Sequence, residues 1–145
     1  MECRKILVPV DGSENSLRAA ELAAEMANVY GAGIEYLYVV DLEGVLAHRK
    51  STENSVLEEA VAAGKEVLNK VLETAPSAIP ARGRCVSGDA PQAILQAAVE
   101  ADADLIVMGS RGLGAFRAAI LGSVSSYVLE HATCPVTLVK ATLRR

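Results

Sequence analysis

The stretch that decides the fold is MGSRGLGAFRAAILGSVSSYV, residues 108–128. Gly109 and Gly112 stand three apart, nine residues follow, and Gly122-Ser123 lead into a helical pattern. Just upstream, LIVM (105–108) is wholly apolar, as expected of a strand buried on both faces. A buried strand, a glycine-rich turn and a helix start follow one another at the ligand-binding end of an open α/β sheet.

Outward from this point the chain alternates strand and helix. KILVPV (5–10) is apolar and β-branched and is ended by Asp11-Gly12-Ser13. Leu17, Ala20, Ala24 and Ala27 then share one helical face until Gly31 and Gly33 stop it. IEYLYVV (34–40) forms a second strand closed by Asp41. Residues 42–53, with His48, Arg49 and Lys50, are polar and irregular, a mobile loop or the frayed start of the next helix. From Asn54, Val56, Ala60, Ala63, Val67 and Val71 mark a long amphipathic helix ending before Pro76. RGRCVS (82–87) is a weak strand whose Arg and Gly content suits a sheet edge. Asp89 opens another helix with Gln92 as its capping-box partner, and Ile94, Ala97, Ala98 and Ala101 supply the buried face. Ser123 caps a helix reaching about Ala132, and Pro135 precedes the last strand, VTLVK (136–140).

Strict alternation without repeats or linkers implies one domain spanning residues 1–145. The architecture expected is three-layer α/β/α, with a five-stranded parallel sheet and right-handed crossovers. Length and five strands leave two common strand orders; in the expected 3-2-1-4-5 order the reversal falls between the first and fourth strands. The loops leaving those two strands, PVDGS and MGSRG, are the most glycine-rich and polar turns in the chain. Topology and composition therefore point to one crevice.

Composition narrows the functions. Half the residues (51%) are hydrophobic, with no Trp and a single Phe, so Ala, Val, Leu and Ile must fill the core. The net charge of −4 and the lack of a basic stripe argue against a nucleic-acid partner. No run approaches the ~18 apolar residues of a membrane span, and MECRKILVPVDG does not read as a signal peptide. Cys3, Cys85 and Cys134 are odd in number and far apart, the usage of small apolar thiols in a reducing cytoplasm. The expected location is cytoplasmic.

Glycine removes the Cβ and permits positive φ, so successive N–H groups can converge on an anion. A helix start at Ser123 adds unpaired N–H groups and partial positive charge. On this reading Gly109 and Gly112 shape the loop, Gly122-Ser123-Val124-Ser125 form a second wall, and Arg111 and Arg117 offer counter-charge. The plainer reading is that glycines merely break helices at a polar turn. Two clusters flanking one loop at the switch point favour the anion. There is no G-x-x-x-x-G-K-[ST], and Gly112-Leu113-Gly114 lacks the third glycine of a dinucleotide fingerprint.

The spacing Gly109-x2-Gly112-x9-Gly122-Ser123 resembles the ATP-binding signature of the universal stress protein family. The similarity continues through KILVPVDGS, the strand ending YVVD, SGDAPQAIL, and DLIVMGSRG with LGSVSSYVLEHATCPVTLV. The resemblance implies an adenine nucleotide alpha hydrolase-like fold, bound ATP and a homodimer paired through residues 136–140. It places adenosine against Pro9, Val10, Asp11 and Val39, with Val40 a near-equivalent apolar candidate, and puts Met108 beside the nucleotide. Phosphates would meet Gly109, Ser110, Arg111, Gly112, Gly122, Ser123, Val124 and Ser125. Asp11 cannot favour a bare polyphosphate, so a ribose hydroxyl or a bound Mg²⁺ is its partner, alongside a turn role capping the first helix with Ser13.

Other candidates carry less. His131 suits a helix C-terminus, and His48 has no second ligand nearby for a metal. Asp102 and Asp104 read as solvated turn residues at the opposite end of the sheet, and Glu58-Glu59 as exposed helix surface. Ser123 has neither a G-x-S-x-G elbow nor a His as base. The expected function is nucleotide-dependent regulation without catalysis, and the choice of ATP over AMP stays open. The alternatives are a slow ATP-hydrolysing or nucleotidyl-transferring enzyme and, more remotely, a receiver-like domain. The edge strand VTLVK needs a cover, either a second copy or the tail ATLRR.

Overall fold

The period-two alternation of a strand sorts its side chains between two cores. Ile6 and Val8 of β1 (Lys5–Pro9) enter one hydrophobic cluster while Leu7 enters the other. The same division holds for Leu105 and Val107 against Ile106 and Met108 of β4 (Leu105–Gly109). The computed structural model describes residues 2–43, 53–111 and 121–140, with the side chains of 53 and 54 set aside. Its sheet adds β2 (Gly33–Val40), β3 (Ala81–Ser87) and β5 (Val136–Val139), in the order β3-β2-β1-β4-β5 with every neighbouring pair parallel. This is the order expected from the sequence.

Helices cover both faces. Ala19, Ala20, Ala23, Ala24 and Ala27 of α1 (Glu14–Tyr30) are buried, and such small side chains let the helix lie close on the central strands. Leu68 and Val71 of α2 (Glu53–Thr74) pack into the same cluster. The opposite face is sealed by Ile94 and Ala97 of α3 (Ala90–Glu100) and Val128 of α4 (Ser123–His131). Glu58 and Glu59 are exposed, as expected.

Several expectations shift. Ala63 is exposed, and the line of α2 that meets the sheet runs through Gly64, Leu68 and Val71. Gly64 is needed there, since a Cβ would stand 2.6 Å from the Tyr38 ring. The last strand ends one residue earlier than VTLVK, because Lys140 leaves the ladder. Asp102 is exposed, but Asp104 is no solvated turn residue. Its Oδ2 accepts from the backbone N–H of Arg4 (2.8 Å) and Lys5 (3.1 Å), tying the entry of β4 to that of β1.

Glu35, unremarked in the sequence, lies fully buried in β2. Its carboxylate accepts from Arg82 Nε at 2.7 Å, and Arg84 Nη1 stands 3.6 Å away while Arg84 Nη2 reaches Glu100 at 3.0 Å. The arginines of the edge strand are therefore structural, neutralising a carboxylate that would be costly to bury alone. Cys3 is buried and Cys85 and Cys134 half-buried, all free, and burial pushes each thiol above its ordinary range.

The packing at Gly64 opposes helix propensity. Alanine gains about 1 kcal/mol over glycine inside a helix, but overpacking a dense site costs about 1–3 kcal/mol. Gly64→Ala is expected to lower the thermal midpoint by a few degrees, measured by circular dichroism; a raised midpoint would show that Tyr38 does not lie beneath this turn.

Candidate functional site

At the switch point, β1 and β4 share a ladder through Ile6↔Leu105 and Leu7↔Ile106. Beyond it their carboxyl ends border a crevice of about 520 Å³, a size typical of small-molecule sites. Pro9, Val10 and Asp11 line it from the end of β1, and Met108, Gly109 and Arg111 from the end of β4. Gly122, Ser123, Val124 and Ser125 form the facing wall at the start of α4. Val39 also lines it, whereas Val40 is buried elsewhere, which separates the two valines.

One of the anticipated residues stands apart. Ser110 is 1% exposed and does not line the crevice. Gly112 lies outside the described residues, as do Arg117, His48 and the tail ATLRR. The lining includes five residues not foreseen: Ser16, Leu37, Asp41, Ala90 and Ile94. Leu37 and Ile94 extend the apolar wall. Only their places near the carboxyl end of a strand or the start of a helix could have marked them.

The helix starts differ in a way that matters. Ser13 Oγ caps α1 by accepting from Ser16 N (3.1 Å), and Asp89 Oδ2 caps α3 by accepting from Gln92 N (3.3 Å). α4 has Gly122 at its N-cap and no side-chain cap. Ser123, expected to be the cap, is the first helical residue instead. The first helical bond runs from Ser126 N to Gly122 O (3.0 Å), so the amides of Ser123, Val124 and Ser125 lack intrahelical partners. They begin a helix that faces the crevice, where the dipole favours negative charge.

The Ser125 hydroxyl is engaged elsewhere. It donates to Ser110 O at 2.6 Å, so the contribution of Ser125 to an anion would come from its backbone N–H. Gly122 N donates to the same carbonyl at 2.7 Å. Asp11 lines the crevice, and in the expected turn role its Oδ1 accepts from Ser13 N at 2.9 Å. Tyr38, under α2, has its phenol pushed up by burial first and by the Asp11 charge second, and so stays neutral.

Asn15 was missed entirely. It is buried at the start of α1 and bonds both to the turn after β4 and to the end of β5. His131 behaves as expected of a helix end, stacking on Tyr127 with Nδ1 2.9 Å from Tyr127 O. Among the described residues no group of three or more His, Cys, Asp or Glu side chains could hold a metal ion, and no helix is long and apolar enough to cross a membrane.

Sheet order and crevice define a doubly wound α/β protein with a crevice at the switch point, the place where such folds take ligands. The chain belongs to the universal stress protein family, whose model matches residues 2–140. It is 33% identical over 139 residues to a universal stress protein of Methanocaldococcus jannaschii, covering 94% of this chain and 82% of that one. Its fold is similar to that of a universal stress protein solved in complex with cAMP (TM-score 0.75, 24% identity, 98% of this chain and 100% of that one). A universal stress protein from Archaeoglobus fulgidus in complex with dAMP is also similar (TM-score 0.67, 23% identity, 97% and 100%).

The Ser125 bond makes a prediction about stability. Ser125→Ala removes one of two donors to Ser110 O, and the expected loss is about 1 kcal/mol, read as a lower denaturation midpoint in urea. An unchanged midpoint would mean that the hydroxyl does not hold this turn.

Proposed function

We propose that the protein is a nucleotide-binding regulator that takes ATP, or another adenine nucleotide, in the crevice between β1 and β4. The observation that carries this reading is the pairing of opposite walls. Leu37, Val39, Ile94 and Met108 offer an apolar surface suited to a base, and the uncapped start of α4 offers amides suited to phosphate. The complexes of its structural neighbours with cAMP and dAMP support an adenine ligand.

In this reading Pro9, Val10, Asp11 and Val39 receive the adenosine, beside Met108. Gly109, Arg111, Gly122, Ser123, Val124 and Ser125 receive the phosphates, with Ser110 holding the turn from behind and Gly112 completing the loop. Among the described residues Asp11 and Asp41 both line the crevice, with Arg111 as the lining cation, a balance unfavourable to a bare triphosphate. That favours ATP entering with Mg²⁺ carried on its phosphates, and Asp11 is the residue to meet a ribose hydroxyl or that ion.

ATP would act as a conformational or assembly ligand. Phosphoryl transfer needs a positioned nucleophile and strong charge neutralisation, and among the described residues the lining offers one arginine. Pairing of two copies through β5 would place the site in a homodimer, and a cytoplasmic location would supply the nucleotide.

Calorimetric titration with Mg–ATP and AMP tests the reading, and binding by at least one is expected. Gly122→Val should abolish it while leaving the fold intact, because Gly122 has φ −77 and ψ 165, a conformation any residue adopts. Absence of binding at millimolar nucleotide would overturn the proposal. Turnover of several ATP per minute would replace regulation with enzymatic hydrolysis.

A further inference from the structure

We propose that Asn15 is a positioning residue for the phosphate-facing turn after β4, acting on the ligand through Gly109 and Arg111 rather than by touching it. The inference rests on the nucleotide reading of the crevice and adds a residue that neither the signature motif nor the crevice lining contains.

Asn15 is 8% exposed, and both ends of its side-chain amide are engaged across long sequence separations. Nδ2 donates to Val139 O at 2.8 Å, 124 residues away, and Oδ1 accepts from Arg111 N at 2.9 Å, 96 residues away. These partners fix the amide orientation, since a carbonyl only accepts and a backbone N–H only donates. Asparagine alone among similar side chains serves both. Aspartate could accept from Arg111 N, but it would set a carboxylate against the Val139 carbonyl and beside an anion site. Leucine would leave the Arg111 N–H without this acceptor.

The consequence reaches the crevice through geometry. Directing the Arg111 N–H at Asn15 fixes the 110–111 peptide plane, from which the Arg111 side chain leaves to line the crevice. The other side of that turn is held as well, by Ser110 N on Val139 O (2.9 Å) and Gly122 N on Ser110 O (2.7 Å). The carbonyl of Val139 therefore anchors both Asn15 and Ser110, and the Ser110 carbonyl in turn holds the Gly122 N–H at the start of α4.

Gly109 has a second reason to be glycine. A Cβ at this position would stand 2.9 Å from Asn15 Oδ1, 3.0 Å from Cγ and 3.2 Å from the Asn15 backbone carbon. The signature glycine thus serves in part to admit Asn15, and the two positions form one unit.

The experiment uses the full chain. Nucleotide dissociation constants are measured by calorimetry for wild type, Asn15→Ala, Gly109→Ala and the double variant, with the thermal midpoint and the amide exchange of Arg111 for each. Asn15→Ala is expected to weaken Mg–ATP or AMP binding about tenfold, the effect of losing one net hydrogen bond of preorganisation, and to speed exchange at Arg111. Gly109→Ala should shift both readouts the same way by displacing the amide. The double variant should fall short of the product of the singles, because the displaced group is already gone. A merely structural Asn15 would lower the midpoint and leave affinity within about twofold of wild type, which overturns the inference, as does weaker binding with Arg111 exchange unchanged. Should Asn15→Ala fail to fold, Gly109→Ala decides by the same two readouts. A wild-type chain that binds no adenine nucleotide removes the nucleotide reading itself, and this inference with it.

Discussion

A strand that ends in the middle of a sheet must turn away without burying unpaired backbone groups. β4 is flanked by β1 and β5 and covered on both faces, so the requirement is strict at Ser110, which is 1% exposed. Three backbone groups of that turn have partners from elsewhere in the chain. Ser110 N finds Val139 O, Ser110 O receives Gly122 N and Ser125 Oγ, and Arg111 N finds Asn15 Oδ1. These four bonds draw together α1, β4, α4 and β5. The crevice wall exists because the bonds that close the turn also bring the first residues of α4 back over the end of the sheet.

The same economy explains the helix that is left uncapped. Gly122 contributes its N–H to Ser110 O and lacks a side chain to cap the helix. Replacing a capping side chain by glycine costs only a few tenths of a kcal/mol, so an open helix end is cheap to maintain. α1 and α3, whose first turns also border the crevice at Ser16 and Ala90, keep their Ser13 and Asp89 caps, so among these three helices α4 presents the uncapped start.

Much of this was legible in the sequence because it is local. Apolar runs bounded by Asp and Gly located the strands, the fully apolar LIVM marked a strand buried on both faces, and alternation dictated parallel pairing around the switch point. Most of the crevice lining followed from the loops leaving β1 and β4. What stayed hidden depends on contacts between distant segments. The sequence marks Asn15 only as a polar residue near a helix start, where water or a cap is the ordinary partner. Glu35 looks like a polar interruption of an apolar strand until Arg82 and Arg84 are seen beside it. Asp104 was misread for a related reason: its partners, the amides of Arg4 and Lys5, lie about a hundred residues away. Ala63 failed by a different route, because a long helix drifts against any fixed spacing and Gly64 gives no apolar signal although it makes the closest contact.

The outer edge of β5 obeys the same backbone accounting. Pro135 O and Val139 O both point inward, receiving Ile106 N and Ser110 N from β4. By the alternation of a strand, the backbone groups of Val136 and Leu138 then point to the outer edge. Two residues with one N–H and one C=O each supply about four hydrogen bonds, each worth roughly 0.5–1.5 kcal/mol net. Against the cost of association, so few bonds set the register of the proposed strand pairing without holding two chains together. Its affinity must come from apolar area beside the strand. Because Val139 O also anchors Ser110 and Asn15, the strand that would pair and the turn that would hold phosphate share one fixed point.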